Sequence, residues 1–214
     1  MAVPEPGAVF KLIGGALCLD FVNTVSGRLA NPRATAGDYA DVVERERLVD
    51  FAALTRWAQA AGLLPAGEGA ALLQLAHHAP AGAARVVARA RVLREAMYRV
   101  FLASEQGWTP RPADLQVVNR ELARARTRER LVPRPRGLAW AWSGGDAALD
   151  RMLWPVLRSA AELLTSDELA RVRQCGGEDC RWLFLDSSRN RTRRWCNMAE
   201  CGNRAKVRRF RKRR

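Results

Sequence analysis

The chain has 214 residues, with 36 Lys or Arg against 22 Asp or Glu and a formal net charge of +14. This length accommodates one ordinary domain plus a small appended one. No apolar run approaches the roughly 18 residues of a membrane span, and the N-terminus lacks the basic-then-apolar order of a secretory signal. The expectation is a cytoplasmic chain with no membrane partner.

The charge is uneven. Positions 175–214 hold 13 Lys or Arg against four acids (Glu178, Asp179, Asp186, Glu200), a local +9 that leaves +5 for positions 1–174. A localised basic patch is the electrostatic footprint of a polyanion binder. The competing reading is a solvated tail that binds nothing.

In chain order, residues 8–25 begin as a loop or short strand and turn at Gly14-Gly15. They then enter LCLDFVNTV, where Leu17, Phe21 and Val25 suit a helix and Leu19, Phe21 and Val25 suit a strand. Gly, Pro and Asn mark GRLANPRATAG as loop. From Leu48 to Ala61, the residues Phe51, Leu54, Ala58 and Ala61 predict one helix face, with Gly62 as its C-terminal cap. A short helix is predicted over 67–77, and the clearest helix over 83–104. There Val86, Ala90, Leu93, Met97, Val100 and Phe101 form the stripe, and Glu95 and Arg99 sit one turn apart as a surface pair. Another helix spans 110–126. Leu138, Trp140 and Trp142 alternate as a strand and predict a hairpin with residues near Leu131. Asp146 is placed to cap a helix reaching Leu164, which Pro155 kinks or delays. A short helix starts at Ser166.

Four of the five cysteines follow as two pairs of equal spacing, Cys175 and Cys180 in CGGEDC, Cys196 and Cys201 in CNMAEC. Four thiolates in two local pairs make a closed S₄ shell for one structural zinc ion. The alternatives are two disulfides or four unrelated thiols, and a reducing compartment favours metal. Cys18 reads as a small buried hydrophobe. RWLFLD predicts a strand with a basic return strand through SSRNRTRR. From Asn197 a helix is predicted, with Val207 and Phe210 packing onto that hairpin. Knuckle, hairpin and helix in this order give a treble-clef layout, so the fold class is α+β: a mostly helical N-terminal domain (1–165) with a small β element, then a treble-clef-like zinc finger (166–214). A unit of this size depends on metal for its folding energy.

These residues resemble a known architecture. Cys175, Cys180, FLDSSRNRTRRWC at 184–196 and CGNRAK at 201–206 are similar to the CGNR zinc finger. GGALCLDFVNTV at 14–25, Arg28 and LTRWAQAAGLL at 54–64 resemble the ABATE domain that precedes it. The resemblance implies Cys175, Cys180, Cys196 and Cys201 as zinc ligands, and a bacterial regulator of transcription in a stress response.

The leading expectation is a nucleoid-associated DNA-binding protein. Arg189, Arg191, Arg193, Arg194, Arg204, Lys206, Arg208 and Arg209 would contact phosphates, and Arg191 or Arg193 would read a base. Structural roles compete for some of them: Arg194 pairing with Asp186, Arg204 holding the ligand loop. RNA, with Trp182 and Trp195 as stacking platforms, and a protein-docking finger are the alternatives. In a further reading the body senses a small-molecule effector, or docks on RNA polymerase. Asp20, Asn23, Arg28 and Trp57 form a ligand pocket in that reading, against the plainer one in which they bond each other or fill the core. An enzyme is not expected, because a four-cysteine site leaves no open metal position and the adjacent His77-His78 cannot share one ion.

Overall fold

In the computed structural model, which describes residues 10–28, 43–144 and 147–212, the ambiguous N-terminal stretch resolves into two elements. Helix α1 (Leu17–Val22) buries Cys18, Leu19, Phe21 and Val22. It stops where Thr24 Oγ1 donates to the Phe21 carbonyl at 2.8 Å. Strand β1 (Val25–Arg28) follows and pairs antiparallel with β2 (Val43–Glu46), in the register Val25 to Glu46 and Arg28 to Val43. Gly27 and Arg28, expected in a loop, therefore extend a strand; the rest of that expected loop lies outside the described residues.

Helix α2 (Phe51–Ala60) is capped by Asp50, whose carboxylate accepts from the Ala53 amide at 2.6 Å. Gly62, at φ +71°, ends it in the left-handed conformation that favours glycine. Helices α3 (Ala66–His78), α4 (Pro80–Glu105) and α5 (Pro112–Arg126) follow, the last two starting at proline, whose missing N–H is unneeded there. All six residues of the predicted α4 stripe are buried. The expected hairpin forms as β3 (Glu129–Arg134) and β4 (Gly137–Trp142), with Leu131 opposite Trp140. Helix α6 (Leu153–Leu164) begins two residues before Pro155, so the ring sits in the first turn and does not kink it. Asp146, expected as its cap, lies outside the described residues.

Helix α4 packs against α1, α2, α3, α5 and α6, and carries charge into the core as well as apolar surface. Arg94 is fully buried; it bonds Glu46 through both terminal nitrogens at 2.7 Å and Glu95 through Nε at 2.8 Å. Glu95 also takes Arg28 Nε at 2.9 Å, and Arg28 stacks over the Tyr98 ring at 4.0 Å. Burial opposes the Glu95 charge, yet the two guanidiniums hold its carboxyl down to about 2. The expected Glu95–Arg99 surface pair is therefore not formed. Glu95 faces inward, and Arg99 instead bonds Asp114 on α5 at 2.9 and 2.6 Å.

After a short 3₁₀ turn (Asp167–Arg171), β5 (Val172–Gln174) pairs antiparallel with β6 (Leu183–Leu185), and the chain ends in α7 (Asn203–Arg211). This corrects the expected finger hairpin. The partner of β6 is upstream, the first cysteine pair forms the connection between the two strands, and the basic segment 188–194 is loop. The ribbon is shared with the body, because Val172 and Leu183 lie in the main core. The Asn23 side-chain amide pairs with the Leu183 backbone in both directions, at 2.7 and 2.9 Å. Trp182 Nε1 donates to the Val25 carbonyl at 2.7 Å, and the Leu185 amide to the Gly14 carbonyl at 2.7 Å.

Gly15 makes that approach feasible. It has φ +81°, and a Cβ there would lie 3.1 Å from Leu185 Cβ. Gly15→Ala is expected to cost about 1–3 kcal/mol, read as a lower Tm of the metal-loaded protein.

Candidate metal centre and nucleic-acid interface

The four cysteines of the two pairs are buried, and their sulfurs all lie within 4.8 Å of one another. Two of the separations are 3.5 Å (Cys180–Cys196) and 3.8 Å (Cys196–Cys201). A tetrahedral ion with metal–sulfur bonds of about 2.3 Å places its sulfurs about 3.8 Å apart, so the set fits zinc. As bare thiols they oppose one another. Hydrogen bonding from Cys180 and Cys196 draws Cys175 down, while the bond with Cys175 pushes both Cys180 and Cys196 up. A cation stabilises all four as thiolates, and the set holds one structural zinc.

The backbone aims the sulfurs. Gly177 sits inside the cluster; a Cβ there would lie 3.5 and 3.6 Å from the sulfurs of Cys201 and Cys175, and 3.2 Å from Cys180 Cβ. Asn197 opens a one-turn π segment (Met198–Gly202) by accepting from the Ala199 amide at 2.9 Å, which carries Cys201 to the start of α7. The Cys196 amide donates to Cys175 Sγ at 3.4 Å. After Cys201, Asn203 Nδ2 closes the same turn on the Ala199 carbonyl at 2.9 Å, and Arg204 Nη2 donates to Cys201 Sγ at 3.3 Å. The Cys201 sulfur raises the Arg204 pKa, and the guanidinium in turn offsets the sulfur's negative charge.

The eight basic side chains of the expected interface divide into two sets. Arg193 is turned inward: its Nε bonds the Trp195 carbonyl at 3.0 Å, its Nη2 the Cys196 carbonyl, and its guanidinium stacks over Phe184 at 4.5 Å. It braces the second cysteine pair and leaves the set of base-reading candidates. Arg204 is held by Cys201. Arg208 bridges back to Glu178 at 2.8 Å and to Asp179, which ties α7 to the first knuckle. Arg189, Arg191, Arg194, Lys206 and Arg209 are exposed.

The expected Arg194–Asp186 pair gives way to a turn. The buried Asp186 carboxylate accepts from the amides of Ser188 at 2.9 Å and Arg193 at 3.0 Å, while Arg194 lies over the Trp195 ring. Burial opposes its charge, but the bonds from Ser188 and the Arg193 amide hold the Asp186 carboxyl below the usual range. Inside that loop Arg191 adopts φ +52°, uncommon for a residue with a Cβ, and its exposed side chain is presented at the bend. Val207 and Phe210, expected to pack on the hairpin, are instead 50% and 60% exposed. Val172, Leu183 and Leu185 are already covered by the body, and Phe184 by the cysteine cluster and Arg193.

The expected body pocket is not formed by its four residues. Asn23 is spent on Leu183, Arg28 on Glu95 and the Val22 carbonyl, and Trp57 fills the core edge-to-face against Phe21 at 5.1 Å. Asp20 accepts from the Gly14 amide at 2.7 Å, fixing the turn that meets the finger. Burial pushes its carboxyl up to about 6. Because the folded value lies above the unfolded 3.8, the folded state loses stability as pH rises from 3.8 through 6. Asp20→Asn keeps the acceptor and removes the charge. It is expected to raise Tm at pH 7.5, with the gain shrinking at pH 5, as differential scanning calorimetry will show.

Cys18 is the fifth cysteine and a non-ligand, fully buried in α1 with burial raising its thiol to about 12. Among the described residues, no helix is long and apolar enough to cross a membrane. The contacts that sequence reasoning missed, Asn23 with Leu183 and Gly15 with Leu185, join opposite ends of the chain and carry no local signal.

Comparison with known families agrees with this arrangement. The ABATE family model, described as "Putative stress-induced transcription regulator", matches residues 15–167, and the CGNR zinc finger model matches residues 171–214. No curated protein matches the chain. With the first model spanning well over half of its length, the chain belongs to the ABATE family and ends in a CGNR zinc finger.

Proposed function

We propose that the chain is a transcription regulator that binds duplex DNA through the outer surface of its zinc finger, and that it acts as a binder and not as a catalyst. One observation carries the reading. After Arg193, Arg204 and Arg208 are committed to the finger's own structure, Arg189, Arg191, Arg194, Lys206 and Arg209 remain exposed on one small, metal-closed unit. Cations fixed on a rigid scaffold are what phosphate contacts require. The four-sulfur site leaves zinc no position for an activated water, in keeping with a structural ion. The body's part is to orient the finger through the contacts of Gly14, Asn23 and Val25, so an effector or polymerase contact on the body would reach the DNA surface along that seam. The family description supports a role in a stress response, and binding to duplex DNA would place the chain at the nucleoid.

RNA is the weaker reading. Trp182, the expected stacking platform, is buried with its N–H bonded to Val25, and Trp195 is half-buried beside the second cysteine pair. The test is binding of zinc-loaded full-length protein to a random 30-base-pair duplex and to a single-stranded RNA of equal length, followed by anisotropy across a salt series. The five finger contacts alone contribute a log–log salt slope of about −4.5 on duplex. Tighter binding to the RNA at every salt concentration would overturn the proposal.

A further inference from the structure

Positions 1–174 carry a net charge of +5, and the stretch 120–136 alone accounts for it. It holds seven arginines (120, 124, 126, 128, 130, 134 and 136) against Glu121 and Glu129, while the rest of the body is balanced. Those two acids already have partners, Glu121 with Arg89 and Glu129 with Arg126. The stretch is the end of α5 and the β3–β4 hairpin that follows it, so the body's excess charge is concentrated on these two adjoining elements.

Its two faces differ. Pairing register places Arg130, Val132 and Arg134 opposite Ala141, Ala139 and Gly137 on one side. The other side carries Leu131 and Pro133 opposite Trp140 and Leu138. The base of this second face is pinned to α6, with Trp142 against Trp154 at 5.8 Å and Arg158 over Trp140 at 5.5 Å. Beyond those contacts the face is open: Leu131 and Leu138 are 55% and 66% exposed, and at the tip Arg134 precedes, and Arg136 lies within, the two-residue turn that Gly137 closes at φ +92°. Strands of this length extend about 20 Å, and a two-stranded ribbon fits the major groove, about 12 Å wide. On the arginine face the opposite strand offers only glycine and alanine, so backbone and guanidiniums can approach a groove wall together. Two copies packing tip to tip would bring like charges together, which disfavours self-association as the purpose of this surface.

We propose that the β3–β4 hairpin is a second DNA contact, an arginine-tipped ribbon that lies against the duplex while the finger holds it elsewhere. This rests on the DNA reading above and names a partner surface outside the finger. Arg134→Gln/Arg136→Gln changes only exposed tip residues, so Tm and zinc content serve as folding controls. Anisotropy on the random duplex across a salt series, with zinc-loaded full-length protein, is expected to show affinity about 10–30-fold weaker at 0.15 M salt and a slope smaller by about two units. Unchanged affinity and slope in the variant, with wild type binding normally, would overturn the hairpin contact and leave the finger reading intact. Absence of duplex binding by wild type at low salt would overturn both. A variant with unaltered DNA binding but altered mass by light scattering would assign the hairpin to self-association and overturn the proposal.

Discussion

Cys196→Ser is expected to release the zinc and to lower the Tm of the whole chain, not of the finger alone. In isolated finger peptides the metal supplies about 10–16 kcal/mol of apparent folding energy, and the unit has few apolar residues of its own to replace it. Cys175, Cys180, Trp182, Phe184, Cys196 and Cys201 form its small core, partly around the metal site itself. The ribbon that carries the first pair also inserts Val172 and Leu183 into the main core. Loosening it uncovers these residues, each worth about 1.5–3 kcal/mol of burial, together with the Asn23–Leu183 and Trp182–Val25 bonds. A loss of several kcal/mol corresponds to a fall in Tm of roughly 10 °C or more for a chain of this size. Metal analysis, with calorimetry on the same samples, checks it. Cys18→Ser is the control and is expected to retain one zinc per chain. A Cys196→Ser protein with wild-type Tm and no metal would contradict the account.

Arg94→Met is expected to cost about 3–5 kcal/mol although it touches neither metal nor basic surface. The substitution keeps most of the aliphatic stem but leaves Glu46, at the end of β2, with the more distant Arg91 in place of its bidentate partner, and the buried Glu95 with Arg28 alone. Removing one member of a buried ion network is costly because the remaining charges stay desolvated. The expected fall in Tm is about 6–20 °C. Arg94→Met combined with Glu46→Leu should recover part of it, since the one stranded charge of that pair is then gone. A single variant with a Tm indistinguishable from wild type would show that the network contributes little to folding.

What the sequence made legible follows physical range. The α4 stripe is legible because a helix repeats its buried face every turn within one segment. The ligands are legible because each pair is local, and the β3–β4 hairpin because Leu138, Trp140 and Trp142 alternate beside a turn. The partner of β6 is not legible: alternation in RWLFLD announces a strand and its faces, but not whether Val172–Gln174 or the basic segment after it supplies the pairing. Arg193 looks like its neighbours in an arginine run; only the folded loop, with Asp186 gathering the Ser188 and Arg193 amides, turns it toward the Cys196 carbonyl. Glu95 and Arg99 satisfy the one-turn spacing of a surface pair, and tertiary burial overrides it by placing Arg28 and Arg94 around Glu95. Val207 and Phe210 keep helical spacing, but the surface they were expected to cover is already occupied, by the body on one side and by the cysteine core and Arg193 on the other.

The most direct test of the finger as the DNA-binding surface is one comparison on random duplex across a salt series, with affinities compared at 0.1 M. Zinc-loaded wild type is measured against a variant with Arg189, Arg191, Arg194, Lys206 and Arg209 all replaced by Gln, its zinc content and Tm first shown to match. The account predicts a loss of affinity of about 10³–10⁴-fold and a salt slope smaller by about 4.5 units, leaving about the two units that belong to the β3–β4 hairpin. Affinity within threefold of wild type would contradict it.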